Sequence, residues 1–238
     1  MQITIGVSAR HIHLTAEHLE ILFGQGYQLQ PKRQLSIPTQ YLCEERLTIR
    51  GPKGSIDHVG IIGPLRERSQ VEITRSDGIR LGVTPPIRLS GDLDSSAPIT
   101  LVGPQGELTL EEGLIIAKRH IHMTTTDAAS LGFGHKDFAM VVVPGLRSLV
   151  FDHVVVRVDD QNTHTELHID TDEANTADLN SGDQVTLLLL NDKKIRLERL
   201  IGMFDERQLK MLETFAADIV EREKQKLQEM ESLLNDLR

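Results

Sequence analysis

The sequence predicts a mainly β protein: two small β-barrels with short capping helices, plus a long C-terminal helix. Three observations lead there. The chain contains an internal repeat, a succession of short β-rich runs separated by turn signals, and a tail free of Pro and Gly. Its 238 residues suffice for one large domain or two small ones.

The repeat comes first. Val7-Ser8-Ala9-Arg10-His11-Ile12-His13-Leu14-Thr15 recurs as Ile116-Ala117-Lys118-Arg119-His120-Ile121-His122-Met123-Thr124. The long separation fits two related domains better than a solenoid. Thr15 can cap a helix over Ala16–Phe23, closed by Gly24 or Gly26. Thr124 or Thr126 can cap a second near Asp127–Leu131, closed by Gly132. The runs Leu47–Arg50, Val59–Ile62, Gln70–Thr74, Ile99–Val102, Met140–Val143, Val154–Val158, Glu166–Ile169 and Val185–Leu190 are β-branched or alternating, as strands are. Gly51-Pro52-Lys53-Gly54, Gly63-Pro64, Ser76-Asp77-Gly78, Gly103-Pro104-Gln105-Gly106 and Ser181-Gly182-Asp183 read as turns between them. Many short strands with few helices point to barrels. Pro85-Pro86 marks an irregular segment and not a domain boundary. From Asp205 to Arg238, Val220, Glu223, Leu227, Met230, Leu234 and Leu237 recur in steps of three and four, supported by the pairs Glu206 with Lys210 and Asp218 with Arg222. Glu223 interrupts this stripe, which can pack on the barrels or on a partner chain.

Composition excludes several classes. A net charge of -9, with 26 Lys plus Arg against 35 Asp plus Glu, argues against nucleic-acid or membrane-surface binding. The single cysteine, Cys43, rules out an intrachain disulfide and a Cys-rich zinc site. Glu44 and Glu45 beside it would raise its pKa, so it reads as structural. Met1-Gln2-Ile3-Thr4-Ile5 lacks the basic region and apolar run of a signal peptide, and no 18-residue apolar stretch exists. A soluble intracellular protein is expected.

Four of the ten histidines sit in the two His-x-His pairs, His11 with His13 and His120 with His122. On a strand, residues i and i+2 face the same side, so two imidazoles can converge on one metal. A third His or carboxylate is then needed. A single such pair is more often two surface histidines, but repetition in register is hard to ascribe to drift. His168 and, in Gln70-Val71-Glu72-Ile73, Glu72 are candidate third ligands. Glu72 could instead lie on an outward strand face. Asp170 reads as a helix N-cap paired with Glu173. Arg10, Arg66, Arg68, Arg88 and Arg119 are candidate anion binders, because the guanidinium fork can bond two phosphate oxygens. Ser90-Gly91 is a turn that could present a hydroxyl and amides to an anion. No nucleotide-binding glycine pattern is present.

These segments resemble the PduL-type phosphotransacylases, or phosphate propanoyltransferases. The matching stretches run from Val7 to about Leu190 and include both Arg-His-Ile-His segments, Gly63-Pro64-Leu65-Arg66, Gln70-Val71-Glu72-Ile73, Pro86-Ile87-Arg88-Leu89-Ser90-Gly91-Asp92 and His168-Ile169-Asp170-Thr171-Asp172-Glu173-Ala174-Asn175. The resemblance implies one barrel from residues 1–9 and 118–200, a second from 10–117, and a separate helix over 205–238. It implies two zinc ions between the barrels, one held by His11, His13 and Glu72, the other by His120, His122 and His168. Arg66 matches the phosphate-site arginine, with Ser90 in the matching serine position. Arg10 and Arg119 are expected to bind substrate as well.

The implied reaction converts a short acyl-CoA, propanoyl or acetyl, and inorganic phosphate reversibly to acyl phosphate and coenzyme A. Direct phosphate attack is expected, without an acyl-enzyme. A two-metal thioester or phosphoester hydrolase and a zinc-stabilised scaffold are the alternatives. Family members are often microcompartment cargo carrying an N-terminal targeting extension. Here the first strand begins almost at Met1, so that address is not expected, and the C-terminal helix is the candidate for homo-oligomer assembly.

Overall fold

The computed structural model describes residues 1–188 and 204–236. The last two residues of the expected strand Val185–Leu190, the stretch to residue 200 and Leu237 lie outside them, as do the side chains of Glu223, Leu227, Met230 and Leu234. The chain divides into two compact units, Met1–Leu189 and Leu190–Arg238.

The first unit is mainly β. Its strands are β1 (Gln2–Ser8), β2 (His11–His13), β3 (Pro31–Gln34), β4 (Tyr41–Arg50), β5 (Ser55–Gly63), β6 (Gln70–Glu72) and β7 (Ile87–Arg88). They continue as β8 (Ala97–Val102), β9 (Glu107–Ala117), β10 (His120–Met123), β11 (Phe138–Val143), β12 (Leu149–Val158), β13 (Glu166–Asp170) and β14 (Gln184–Leu188). Between them lie the helices α1 (Ala16–Phe23), α2 (Arg75–Leu81), α3 (Thr125–Leu131) and α4 (Thr171–Ala177).

Two six-stranded barrels result. One closes in the order β4-β5-β2-β6-β9-β8 and back to β4, with β3 and β7 added at β4 and β9. The other closes as β1-β13-β10-β12-β11-β14 and back to β1. Thus β1 leaves the barrel that follows it in sequence and pairs with β13 and β14, near the other end of the unit. Closure leaves no unpaired sheet edge within either ring. The interiors are aliphatic, as the low aromatic content requires: Ile12, Leu47, Ile49, Ile61, Val71, Leu101 and Leu114 in the first, and Ile5, Ile121, Val141, Val156, Leu167 and Leu187 in the second.

The helices follow local rules. Thr15 accepts the N–H of His18 to open α1, and Gly24 closes it. Thr124 opens α3 in the same way, and Gly132 ends it in the left-handed conformation. Ser76-Asp77-Gly78, expected as a turn, is the opening of α2 instead. The reason is a capping box: Thr74 accepts the N–H of Asp77 and the Asp77 carboxylate accepts the N–H of Thr74. Gly78 is tolerated there because a side chain would meet the Val83 carbonyl at 3.0 Å.

The second unit contains α5 (Glu206–Asp236), on which Arg222 and Asp218 pair at 2.7 Å. Among the described residues no helix is long and apolar enough to cross a membrane.

Candidate metal and anion site

In β2, Ile12 is fully buried in its barrel, so His11 and His13 face the other way. The antiparallel neighbour β6 sets Glu72 directly opposite His11. Directly opposed residues of such a pair carry neighbouring side chains on one face. His11 Nε2 lies 3.5 Å from a Glu72 carboxylate oxygen. Nδ1–H of His11 donates to the Ala9 carbonyl at 2.9 Å, and that of His13 to the Ile62 carbonyl at 3.0 Å. Both rings are thereby oriented with Nε2 free, the usual way a protein prepares an imidazole ligand.

The repeat rebuilds this arrangement. Ile121 is fully buried, His120 and His122 face away from it, and the antiparallel strand β13 sets His168 directly opposite His120. Nδ1–H of His120 donates to the Lys118 carbonyl at 2.9 Å, the counterpart of the His11–Ala9 bond. The Nε2 atoms of His120 and His122 approach to 3.1 Å. In each triad the donor atoms lie within 4.8 Å of one another, close enough to share a metal ion. Both triads line a single cavity of about 630 Å³.

The triads are buried, and burial shapes their charge. It pushes the pKa of His13 well below that of a free imidazole, with help from His11 and Arg66. His120 is pushed the same way by burial and by His168 and His122, and His122 falls to about 3 for the same kind of reason. These imidazoles are neutral at pH 7, the form that binds metals. Burial alone would raise the pKa of Glu72, but His11, Ser90, His120 and Arg66 outweigh it and keep the carboxylate below the ordinary range.

Arginine lines the same cavity. Arg66 is anchored through its backbone N–H to the Leu14 carbonyl (2.8 Å), and its guanidinium donates to Ser90 Oγ at 3.1 Å. Gln70, 1% exposed, ties this corner together. Its amide group donates to Ser90 Oγ and to Glu72, and its carbonyl accepts the Gly91 N–H at 2.7 Å. Arg157 is beside His122 on the parallel neighbour β12. Burial lowers the pKa of both arginines, and Glu72 opposes that shift in each case. Arg66 and Arg157, with Arg10, Arg33 and Lys118, outnumber the carboxylates Glu72, Glu166 and Asp170 in the lining, which leaves the cavity wall attractive to anions.

The other candidates have partners of their own. Arg10 lines the cavity, but its Nε donates to Asp77 at 2.8 Å. Arg119 pairs with Glu173 at 2.9 Å and is not among the cavity-lining residues. Arg68 pairs with Asp94 and Glu112, and Arg88 is 3.8 Å from Asp92; neither lines the cavity. Asp170 is the N-cap of α4 in a capping box with Glu173. Cys43 is buried, and burial above all pushes its thiol up to about 11. Sequence reasoning overlooked Arg157, Gln70 and Glu166. Each is a polar residue next to an apolar one on a strand, a weaker form of the signal that drew attention to Glu72. Glu166 accepts from His168 Nε2 at 2.6 Å. It is held at about 2, because bonds to His168 and Ser36 outweigh its burial.

A pH dependence follows for the metal-free protein. An unfolded chain protonates its histidines near pH 6.5. The folded chain cannot protonate His13, His120 or His122 until much lower pH. Below pH 6.5 the unfolded state therefore binds more protons, and stability falls with pH by about 1 kcal/mol per histidine per unit. The ionised Glu72 and Glu166 act in the same direction, but only below about pH 4.5. The melting temperature of chelator-treated protein should drop by about 5–10 °C between pH 6.5 and 5.5. A flat profile over that unit would contradict neutral, buried His13, His120 and His122.

The chain is similar to known proteins over most of its length. A family model described as phosphate propanoyltransferase matches residues 4–180. The phosphate propanoyltransferase of Thermotoga maritima is 51% identical over 187 residues, 78% of this chain and 89% of that protein. That of Lachnoclostridium phytofermentans is 50% identical over 187 residues, 78% of this chain and 87% of its own length. That of Clostridioides difficile is 47% identical over 180 residues, 76% and 86% of the two chains.

Proposed function

Because the chain belongs to the phosphate propanoyltransferase family, we propose that it moves a propanoyl or acetyl group between coenzyme A and inorganic phosphate in a cleft that holds two zinc ions. The observation that carries this reading is the pair of triads on one cavity beside Arg66 and Arg157. The donors suit zinc. Each triad offers three nitrogen or carboxylate ligands and leaves a fourth position for substrate. The Nε2 atoms of His120 and His122 lie 3.1 Å apart, close enough to bind one cation together. Zinc bound there would supply Lewis acidity toward the thioester carbonyl and affinity for the departing thiolate.

The remaining work belongs to the protein. Arg66 and Arg157 would hold phosphate and the charge that develops on the carbonyl oxygen. Ser90, fixed by Gln70 and Arg66, would orient a phosphate oxygen. A phosphate oxygen bonds to the acyl carbon, the carbon–sulfur bond breaks, and coenzyme A leaves as thiolate. Cys43, buried and with its thiol raised to about 11, is no nucleophile, in keeping with direct attack.

The test is release of coenzyme A from acetyl-, propanoyl- and butanoyl-CoA with and without phosphate, with acyl phosphate trapped by hydroxylamine. Release that needs phosphate and yields acyl phosphate is expected. Release without phosphate would make the protein a hydrolase instead.

Gly6 offers a sharper probe of the all-histidine triad. A Cβ there would lie 2.8 Å from His168 Nε2 and 3.2 Å from the Glu166 carboxyl carbon. Gly6 is opposite His168 in the β1–β13 pairing, so neither strand can yield without breaking the barrel. Gly6→Ala should therefore bind about one zinc per chain where the wild type binds two, read by elemental analysis of the purified protein. Full occupancy would contradict His168 as a ligand.

A further inference from the structure

The repeated segments begin with arginine, and the two arginines do the same thing in both halves. Arg10, just before His11, donates through Nε to Asp77 at 2.8 Å. Arg119, just before His120, donates through Nη1 to Glu173 at 2.9 Å. Asp77 and Glu173 are equivalent. Each is the acidic member of a capping box, on the helix that follows the strand carrying the third donor. The spacing from Glu72 through Thr74 to Asp77 equals that from His168 through Asp170 to Glu173. The duplication thus extends beyond the His pairs to the third donor, the N-cap and the capping acid.

We infer that Arg10 and Arg119 are positioning residues, each locking the strand that carries a His pair to the helix that ends the third donor's strand. The physical argument is geometric. Each triad draws two donors from one strand and one from its neighbour, and β2 and β6 are only three residues long. Backbone pairing over so short a stretch fixes register weakly. A charge-assisted bond to the first turn of the following helix adds a second fixed point at the open end of the strand pair. The Asp77 carboxylate is already committed to the Thr74 N–H, so the clamp pulls on the N-cap that sits two residues past Glu72. The two clamps also meet. Asp172 on α4 accepts the N–H of Ser76 on α2 at 2.8 Å, and its charge acts on Arg10. This assignment is distinct from anion binding: Arg119 does not line the cavity, whereas Arg10 does and bonds Asp77 through Nε alone.

The inference rests on the two-zinc reading, and the experiment separates their failures. Zinc-loaded wild type, Arg10→Gln, Asp77→Asn, the double variant, Arg119→Gln and the control Arg50→Gln are treated with excess chelator, and zinc release is followed by a colorimetric indicator. Arg50 pairs with Glu107 on the outer surface of the barrel. Cobalt-substituted samples provide visible absorption bands that report ligand geometry. Arg10→Gln should speed release of one ion per chain at least about tenfold and shift the cobalt bands, and Asp77→Asn should do the same. The double variant should be no worse than either single one, because the two residues act as a unit. Arg119→Gln should affect the other ion, and Arg50→Gln neither. Unchanged release and spectra in Arg10→Gln and Arg119→Gln, with only the phosphate KM raised, would overturn the clamp and leave the zinc reading intact. Wild-type protein that holds no zinc would overturn both.

Discussion

Metal removal is expected to abolish phosphate-dependent release of coenzyme A, with a fall of at least about 1,000-fold and full recovery on adding Zn²⁺. The size follows from how little else the cavity offers. Cys43, the one thiol, is buried and held as the neutral thiol, so it cannot take over the chemistry. His13→Ala and His122→Ala should each reproduce the loss while removing about one ion per chain. They should also flatten the fall in stability of the metal-free protein between pH 6.5 and 5.5, since each deletes a buried imidazole whose neutral form must be maintained. Turnover that survives complete chelation, verified by elemental analysis, would eliminate the metal reading.

Arg66→Ala should lower kcat/KM about 100- to 1,000-fold, with phosphate saturation weakened more than that of the acyl-CoA. Two consequences combine. The anion loses a guanidinium group already aimed by Ser90 and the Leu14 carbonyl. The buried Glu72 loses one of the groups that keep it ionised, so its affinity for a proton rises. The second effect predicts that the acidic limb of the pH–rate profile moves upward in Arg66→Ala. Arg66→Lys should restore part of the phosphate affinity but not the rate, because an ammonium lacks the planar fork. Steady-state kinetics over a pH series measures both. An unchanged phosphate KM in Arg66→Ala would remove Arg66 from the anion site and shift that role to Arg157.

Much of the fold was legible because its signals are local. The β-branched run Val154–Val158, the alternation in Glu166–Ile169, the Gly-Pro turns, and the Thr15 and Thr124 caps need only near neighbours to take effect. Ser76-Asp77-Gly78 misled for an equally local reason. Its residues favour turns, but Thr74 and Asp77 form a box that only helical geometry closes. The strands β3 and β7 carry little pattern, being short additions at the rims of a ring.

The twin Arg-His-Ile-His segments, their flanking helices and a mainly β architecture are properties of the sequence by itself, since a period of two and a helix cap are written within a few residues. Which residue stands opposite each histidine is not. It depends on barrel closure, which brings Glu72 across from His11 and His168 across from His120 over long stretches of chain. The same holds for Arg157, reached through a parallel neighbour, and for Gly6, whose missing side chain is the space the His168 ring occupies. Above all it holds for Arg10 and Arg119. As isolated charges they look like anion binders, and only the packing of α2 and α4 supplies the carboxylates that take them. An arginine's role is decided by the nearest desolvated partner, and that partner is set by tertiary structure.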